Sequence, residues 1–217
     1  MAKRILSVDD HSIISIGLTK IAEHVRGGAV VVGVKDGSAA LQLVRTERWD
    51  LVVLDISLKG KSGLEVLKEI KQISSKLPVL ILSLYTNVEF VRRALGSGAS
   101  GYVSKDSSDG ELIRAINAIL AGAKYVSAEL RDELIFNPPG GAHTDLSGRE
   151  FEVLVKIGEG KTIKEIAGDL HISESTVETY RTRVREKMGM KRDAELIRYC
   201  IGTGLAQTNN HSLAGGL

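Results

Sequence analysis

Ile5-Leu6-Ser7-Val8 runs directly into Asp9-Asp10, and Leu51-Val52-Val53-Leu54 runs into Asp55. The same arrangement recurs at Val79-Leu80-Ile81-Leu82, which ends at Ser83, and at Gly101-Tyr102-Val103-Ser104, which ends at Lys105. Short runs that are apolar almost throughout mark strands buried on both faces, as in a parallel sheet. In an open α/β sheet the carboxyl ends of such strands form the ligand crevice. Three carboxylates, a hydroxyl and an ammonium are thereby predicted on one rim, the set that a divalent cation and a phosphoryl group require.

Between these runs the apolar period changes from two to that of a helix. Ile13, Ile14, Ile16, Leu18 and Ile21 form one stripe after Asp10, and Leu112, Ile113, Ile116 and Ile119 form the last. Ala29 to Val34 reads as the second strand. Five βα units in succession predict a doubly wound parallel sheet of five strands, flavodoxin-like in its 2-1-3-4-5 order, over residues 3–121. Residues 122–141, with Gly122 and Asn137-Pro138-Pro139-Gly140-Gly141, read as a linker that holds a helical turn or two. From 142 to 207 the pattern is all helical and predicts a second domain of four helices, followed by a frayed tail over 208–217.

Composition excludes several classes. Hydrophobic residues make up 43% of the 217 and charged residues 26%, ordinary for a water-soluble chain with packed cores. No stretch approaches the roughly 18 uncharged apolar residues of a membrane span. The single cysteine, Cys200, cannot form an internal disulfide and fits a cytoplasmic location. A net charge of +2 does not by itself imply a polyanion partner, so the positions of the charges decide.

Mg²⁺ prefers octahedral oxygen ligation and keeps several waters, so one or two carboxylates and a phosphate suffice. Asp10 and Asp55 are the predicted ligands, with Asp9 acting through water and the Ser57 carbonyl adding a further oxygen. Asp55 is the predicted nucleophile, since forming an aspartyl phosphate needs a carboxylate beside a metal that offsets the incoming charge. Lys105 is expected to pair with the phosphoryl oxygens and Ser83 to hydrogen-bond one of them. One acidic residue after a strand is more often a helix cap. Four strand ends that each carry a residue type such a site needs are a different matter.

Asp9-Asp10, Asp55, Gly63 eight residues on, Ser83 and Gly101-Tyr102-Val103-Ser104-Lys105 together resemble the receiver domain of two-component response regulators over about residues 3 to 120. The resemblance implies that Asp55 accepts phosphate from a sensor histidine kinase. It further implies that Ser83 then turns toward the phosphate and that Tyr102 turns inward. The chain departs from the family pattern at Lys59 and Asp106, where prolines are common. A cis bond between Lys105 and Asp106 is expected by the same resemblance.

In the second domain, Leu146-Ser147-Gly148-Arg149-Glu150 opens a helix, Thr162 caps the next, and Ser173 caps a third from Glu174 to about Met188. Helix, tight turn, helix is the geometry that lays its second helix in the major groove of DNA. At 3.6 residues per turn, Val177, Val184 and Met188 share the inward face. Ser175, Glu178, Thr179 and Thr182 lie opposite, and Arg181, Arg183, Arg185 and Lys187 flank them. Local clustering of cations in a near-neutral chain points to a nucleic-acid surface. The segment resembles the LuxR-type helix-turn-helix of the NarL/FixJ class, with Glu178 and Thr182 where lysine is frequent and Tyr180 where histidine is usual. A fourth helix, with Leu196, Ile197, Tyr199 and Ile201, is apolar enough for the dimer contact that this class implies.

These readings combine into a regulator rather than an enzyme: double-stranded operator DNA as target, Mg²⁺ as cofactor, and a homodimer when phosphorylated or DNA-bound. Two rivals stand beside it. One is a receiver that only dimerises, without phosphorylation. The other is an Asp-nucleophile phosphohydrolase, which would carry a second Asp where this chain has Ser57.

Overall fold

The structure is a computed structural model that describes residues 2–136 and 140–206. The expected tail over 208–217 and residues 137–139 of the expected linker therefore lie outside the described residues. The chain divides into two compact units, Met1–Pro139 and Gly140–Leu217.

In the first unit the strands are β1 (Lys3–Val8), β2 (Ala29–Val34), β3 (Leu51–Leu54), β4 (Val79–Ser83), β5 (Gly101–Ser104) and β6 (Tyr125–Val126). They form one parallel sheet in the order β2-β1-β3-β4-β5-β6. The helices are α1 (Ser12–Ala22), α2 (Gly37–Thr46), α3 (Gly63–Ile73), α4 (Val88–Gly96), α5 (Asp109–Leu120) and α6 (Ala128–Phe136). Alternation along the strands splits the core between two faces. Ile5, Leu51, Val53, Leu80, Leu82 and Val103 pack with Leu18 and Ile21 of α1 and with Ile116 and Ile119 of α5. The intervening residues Leu6, Val8, Val52, Leu54 and Ile81 are equally buried on the other face. Side chains at the helix starts fix the turns: Asp36 accepts from the Ala39 N–H, Asn87 from Glu89 and Ser108 from Glu111.

The expected five strands occur in the expected order, but a sixth joins them. Residues 122–136, read as linker, instead supply β6, which pairs Tyr125 with Gly101 and Val126 with Tyr102, and α6, which packs on α4. A two-residue strand carries too little periodicity to be read from sequence. Gly101 admits it: a Cβ there would stand 2.5 Å from the Tyr125 carbonyl oxygen. The expected cis bond is absent, since every described peptide bond is trans. Without proline a cis bond costs about 3 kcal/mol, and here the Asp106 N–H donates to the Ser104 hydroxyl at 3.2 Å.

Among its described residues the second unit has four helices, α7 (Gly148–Gly158), α8 (Ile163–Leu170), α9 (Glu174–Met188) and α10 (Asp193–Gly202). Capping boxes start α7, through Ser147 and Glu150, and α8, through Thr162 and Glu165, while Ser173 caps α9. Left-handed residues end two of them, His171 at φ 52° after α8 and Gly189 at φ 65° after α9. Phe151, Leu154, Ile166, Leu170, Val177, Val184, Leu196 and Cys200 form the core. Burial pushes the Cys200 thiol up to about 12. No described helix is long and apolar enough to cross a membrane.

Candidate phosphoryl site and nucleic-acid interface

The parallel register brings the ends of β1, β3, β4 and β5 side by side. The backbone N–H of Asp55 donates to Val8 at 3.0 Å and that of Lys105 to Ser83 at 2.9 Å. Lys105 then bridges two carboxylates. Its ammonium lies 2.7 Å from Asp55 Oδ2 and 2.7 Å from Asp9 Oδ2, all three side chains being under a tenth exposed. Asp9, Asp10, His11 and Asp55 each offer a ligand atom within 4.8 Å of the others. Asp55 Oδ1 is buried with no hydrogen-bond partner.

The charges do not balance. Burial raises the pKa of Asp55 above the ordinary carboxylate value, and Asp9 adds to the rise, against the opposing pull of Lys105 and of the Ser57 backbone N–H. Burial works against the Lys105 ammonium too, but Asp55 and Asp9 outweigh it and hold its pKa above the usual lysine value. Three carboxylates outnumber the Lys105 ammonium that bridges Asp9 and Asp55 and the Lys59 ammonium 3.9 Å from Asp10, which leaves net negative charge, and one buried Asp55 oxygen lacks a partner. A divalent cation fits both facts.

Two neighbours of this pocket were not apparent in the sequence as functional residues. His11 Nδ1 lies 3.0 Å from Asp10 Oδ1, and its backbone N–H donates to Asp9 Oδ1 at 2.8 Å. Lys59, in the place where proline is common, puts its ammonium 3.9 Å from Asp10 Oδ2. The signal for both was position: one follows Asp10 directly and the other lies four residues after Asp55.

Ser83 and Tyr102 are fully buried beside the site. The Ser83 hydroxyl accepts from the Tyr85 N–H at 3.2 Å, and the Tyr102 hydroxyl donates to the Tyr85 carbonyl at 2.5 Å. Burial holds the Tyr102 phenol far above its ordinary pKa, with the Ser83 hydroxyl opposing. Tyr102 thus already occupies the inward position that the resemblance assigns to the phosphorylated state. Tyr85 in turn stacks on Phe90 of α4 with ring centroids 4.2 Å apart.

On α9, Val177, Val184 and Met188 are buried, while Ser175, Glu178, Thr179, Thr182 and Arg183 are exposed. The flanking cations differ from one another. Arg181 and Arg185 both bind Asp193, and Lys187 binds Glu150 at 2.6 Å. Arg183 instead lies 6.0 Å from the Tyr180 ring. Angular position on a helix finds the face but cannot find partners such as Asp193 and Glu150, which come from other helices.

Comparison with known proteins agrees with this geometry. Residues 5–117 match the response regulator receiver domain family, and residues 144–200 match the bacterial regulatory proteins of the luxR family. The chain is 29% identical to the response regulator UvrY of Escherichia coli strain K12, covering 96% of this chain and 98% of that one. It is 36% identical to the transcriptional activator protein ExaE of Pseudomonas putida, covering 93% and 97% respectively. Among solved structures it resembles RcsB from Salmonella enterica serovar Typhimurium, bound to promoter rprA in the presence of phosphomimetic BeF3-. The TM-score is 0.63 and the identity 25%, over 92% of this chain and 98% of that one. With a receiver sheet at one end and a LuxR-type helix-turn-helix at the other, the chain belongs to the NarL/FixJ class of two-component response regulators, the DNA-binding transcriptional regulators.

Proposed function

We propose that Asp55 is the phosphorylated residue of this regulator and that its phosphorylation state governs operator binding by α9. The observation that carries the reading is the Lys105 ammonium shared between Asp55 and Asp9, beside an Asp55 oxygen that is buried and unpartnered. In the transfer, an Asp55 oxygen attacks phosphorus, the phosphorus–nitrogen bond to the histidine of a sensor kinase breaks, and an acyl phosphate forms. Lys105 is placed to pair with the phosphoryl oxygens, and Ser83, at the neighbouring strand end, to donate its hydroxyl. Asp10, Asp55 and the Ser57 carbonyl, with Asp9 through water, would hold Mg²⁺, which would supply positive charge to offset the incoming phosphoryl group. Tyr102 links the site to α4 through Tyr85 and Phe90, so a change in the site biases that face.

At the other end, Ser175, Glu178, Thr179 and Thr182 read base edges. Arg183, with contributions from Arg181, Arg185 and Lys187, neutralises phosphates. Ile197 and Ile201, the apolar residues of α10 that the core does not take up, serve a homodimer on DNA, in the cytoplasm, where the kinase domain and the operator are both found. The test is acid-labile phosphate on the protein, given a small phosphodonor and Mg²⁺, followed by operator footprinting with and without donor. Loss of both signals in Asp55→Asn supports the reading, and wild-type uptake of phosphate by that variant refutes it.

A second reading has one observation in its favour: Tyr102 is already inside. A receiver that binds DNA without phosphorylation would give the same footprint with and without donor.

A further inference from the structure

Four polar residues of α9 and α10 are joined into a single hydrogen-bonded chain. Asp193 opens α10, where its charge faces the positive end of that helix. Arg181 grips it along one edge of the guanidinium: Nε donates to Oδ1 at 3.0 Å, and Nη2 stands 2.6 Å from Oδ2. The remaining nitrogen, Nη1, donates to both oxygens of Glu178, at 2.9 and 3.0 Å. Arg185, one turn further on, donates to Asp193 Oδ1 through Nε at 3.0 Å and Nη2 at 2.6 Å.

A guanidinium is a rigid planar fork, so fixing its Nε–Nη2 edge also fixes where Nη1 points. Glu178 is a long side chain, 52% exposed, that would otherwise sample many rotamers on the surface of α9. We propose that Asp193 is a specificity-determining residue of DNA recognition that acts through Arg181, by setting where the Glu178 carboxylate stands on the recognition helix. The proposal rests on Glu178 as a base contact. Asp193 itself touches no base in this scheme and is a positioning residue. The same contacts have a second effect: one carboxylate neutralises two arginines, which lowers what Arg181 and Arg185 contribute to phosphate binding.

The test uses the full-length chain as wild type, Asp193→Asn, Arg181→Lys and Glu178→Ala. Each is carried through selection from random duplexes, and binding to the selected duplex and to an unrelated one is measured across salt. Asp193→Asn keeps size and removes charge. Arg181→Lys keeps charge but loses the rigid planar fork, so holding Asp193 no longer fixes the direction of a donor toward Glu178. Both should relax base preference roughly tenfold at the base pairs where Glu178→Ala relaxes it. Asp193→Asn should also bind the unrelated duplex more tightly, with a salt slope steeper by about one to two units as the released arginines reach phosphates.

A residue that merely held α10 in place would lower binding to all sequences alike and leave the motif intact. That result, with the Glu178→Ala motif changed, overturns the proposal and leaves the base contact standing. An unchanged motif for Glu178→Ala removes the base contact and the proposal with it. Circular dichroism of each variant accompanies the selection, and if Asp193→Asn does not fold, Arg181→Lys decides alone.

Discussion

Gly63 lies so close to Asp55 that a Cβ on it would stand 1.9 Å from the Asp55 carbonyl oxygen and 2.7 Å from the Ile56 Cα. Its own N–H donates to the Ile56 carbonyl at 2.8 Å. The start of α3 is therefore seated against the strand end that carries the proposed nucleophile. This is why a glycine falls eight residues after Asp55. The position needs space, and its φ is not in the left-handed region.

Gly63→Ala forces these backbones apart, and overpacking of this kind costs about 1–3 kcal/mol. The variant is expected to unfold at lower urea and to take up phosphate more slowly, because Asp55 is displaced. A wild-type urea midpoint would show that α3 can shift away freely.

Asp55→Asn should stabilise the metal-free protein at neutral pH while abolishing phosphate uptake. The pKa of Asp55 is raised by burial, so its charge opposes folding at any pH above that raised value. Acidification through the raised pKa relieves the cost in wild type, and the relief is complete below the ordinary carboxylate value near 4. The variant is expected to be more stable than wild type at pH 7 and no different from it at pH 3. Urea unfolding in chelator at both pH values measures it. Equal stability of the two proteins at pH 7 would count against a net cost of burying the Asp55 charge.

Proton and cation compete for the same carboxylate, so Mg²⁺ affinity should fall as pH drops through the raised Asp55 pKa. Lys59→Ala removes a positive charge 3.9 Å from Asp10 Oδ2 and should raise Mg²⁺ affinity a few-fold. Asp10→Ala should abolish binding, and Asp9→Ala should only weaken it. Calorimetric titration decides. A Lys59→Ala affinity equal to or below wild type contradicts the electrostatic account.

On the recognition helix, Arg183→Ala should reduce the salt slope of DNA binding by about one unit. Lys187→Ala should change the slope less, because that ammonium is already held by Glu150. Its cost should appear in folding instead: Glu150 is buried, caps α7 and has its pKa held low by Lys187 and Ser147 against the effect of burial. Salt titrations of binding and thermal unfolding of both variants separate the two effects. An equal loss of slope in both would mean that the Glu150 pair opens on DNA.

The strand ends were legible because hydrophobic runs and the polar residues closing them are local signals, and so were the caps at Thr162 and Ser173. What the sequence hid depends on contacts made at a distance. α6 buries Leu130 and leaves Ile135 and Phe136 exposed, so it has no clean stripe to read. Arg149 and Glu152 form a fully buried ion pair on α7, although their residue types suggest a surface. Arg185 was placed correctly on its helix edge, yet its partner Asp193 lies on α10. The Lys105–Asp106 bond followed from family habit, and the chain lacks the proline that makes a cis bond inexpensive.

The short strand β6 also bears on how the receiver behaves when cut out of the chain. A fragment ending at residue 121, where the sequence suggests a boundary, would strip Tyr125 and Val126 from β5 and leave the backbone of Gly101 and Tyr102 without its neighbour. It would also remove Leu130 from its buried place. An open, apolar strand margin is a template for pairing with other chains. Such a fragment would carry an adhesive seam that the intact protein keeps sewn shut, and clumping seen with it would belong to the cut, not to the regulator.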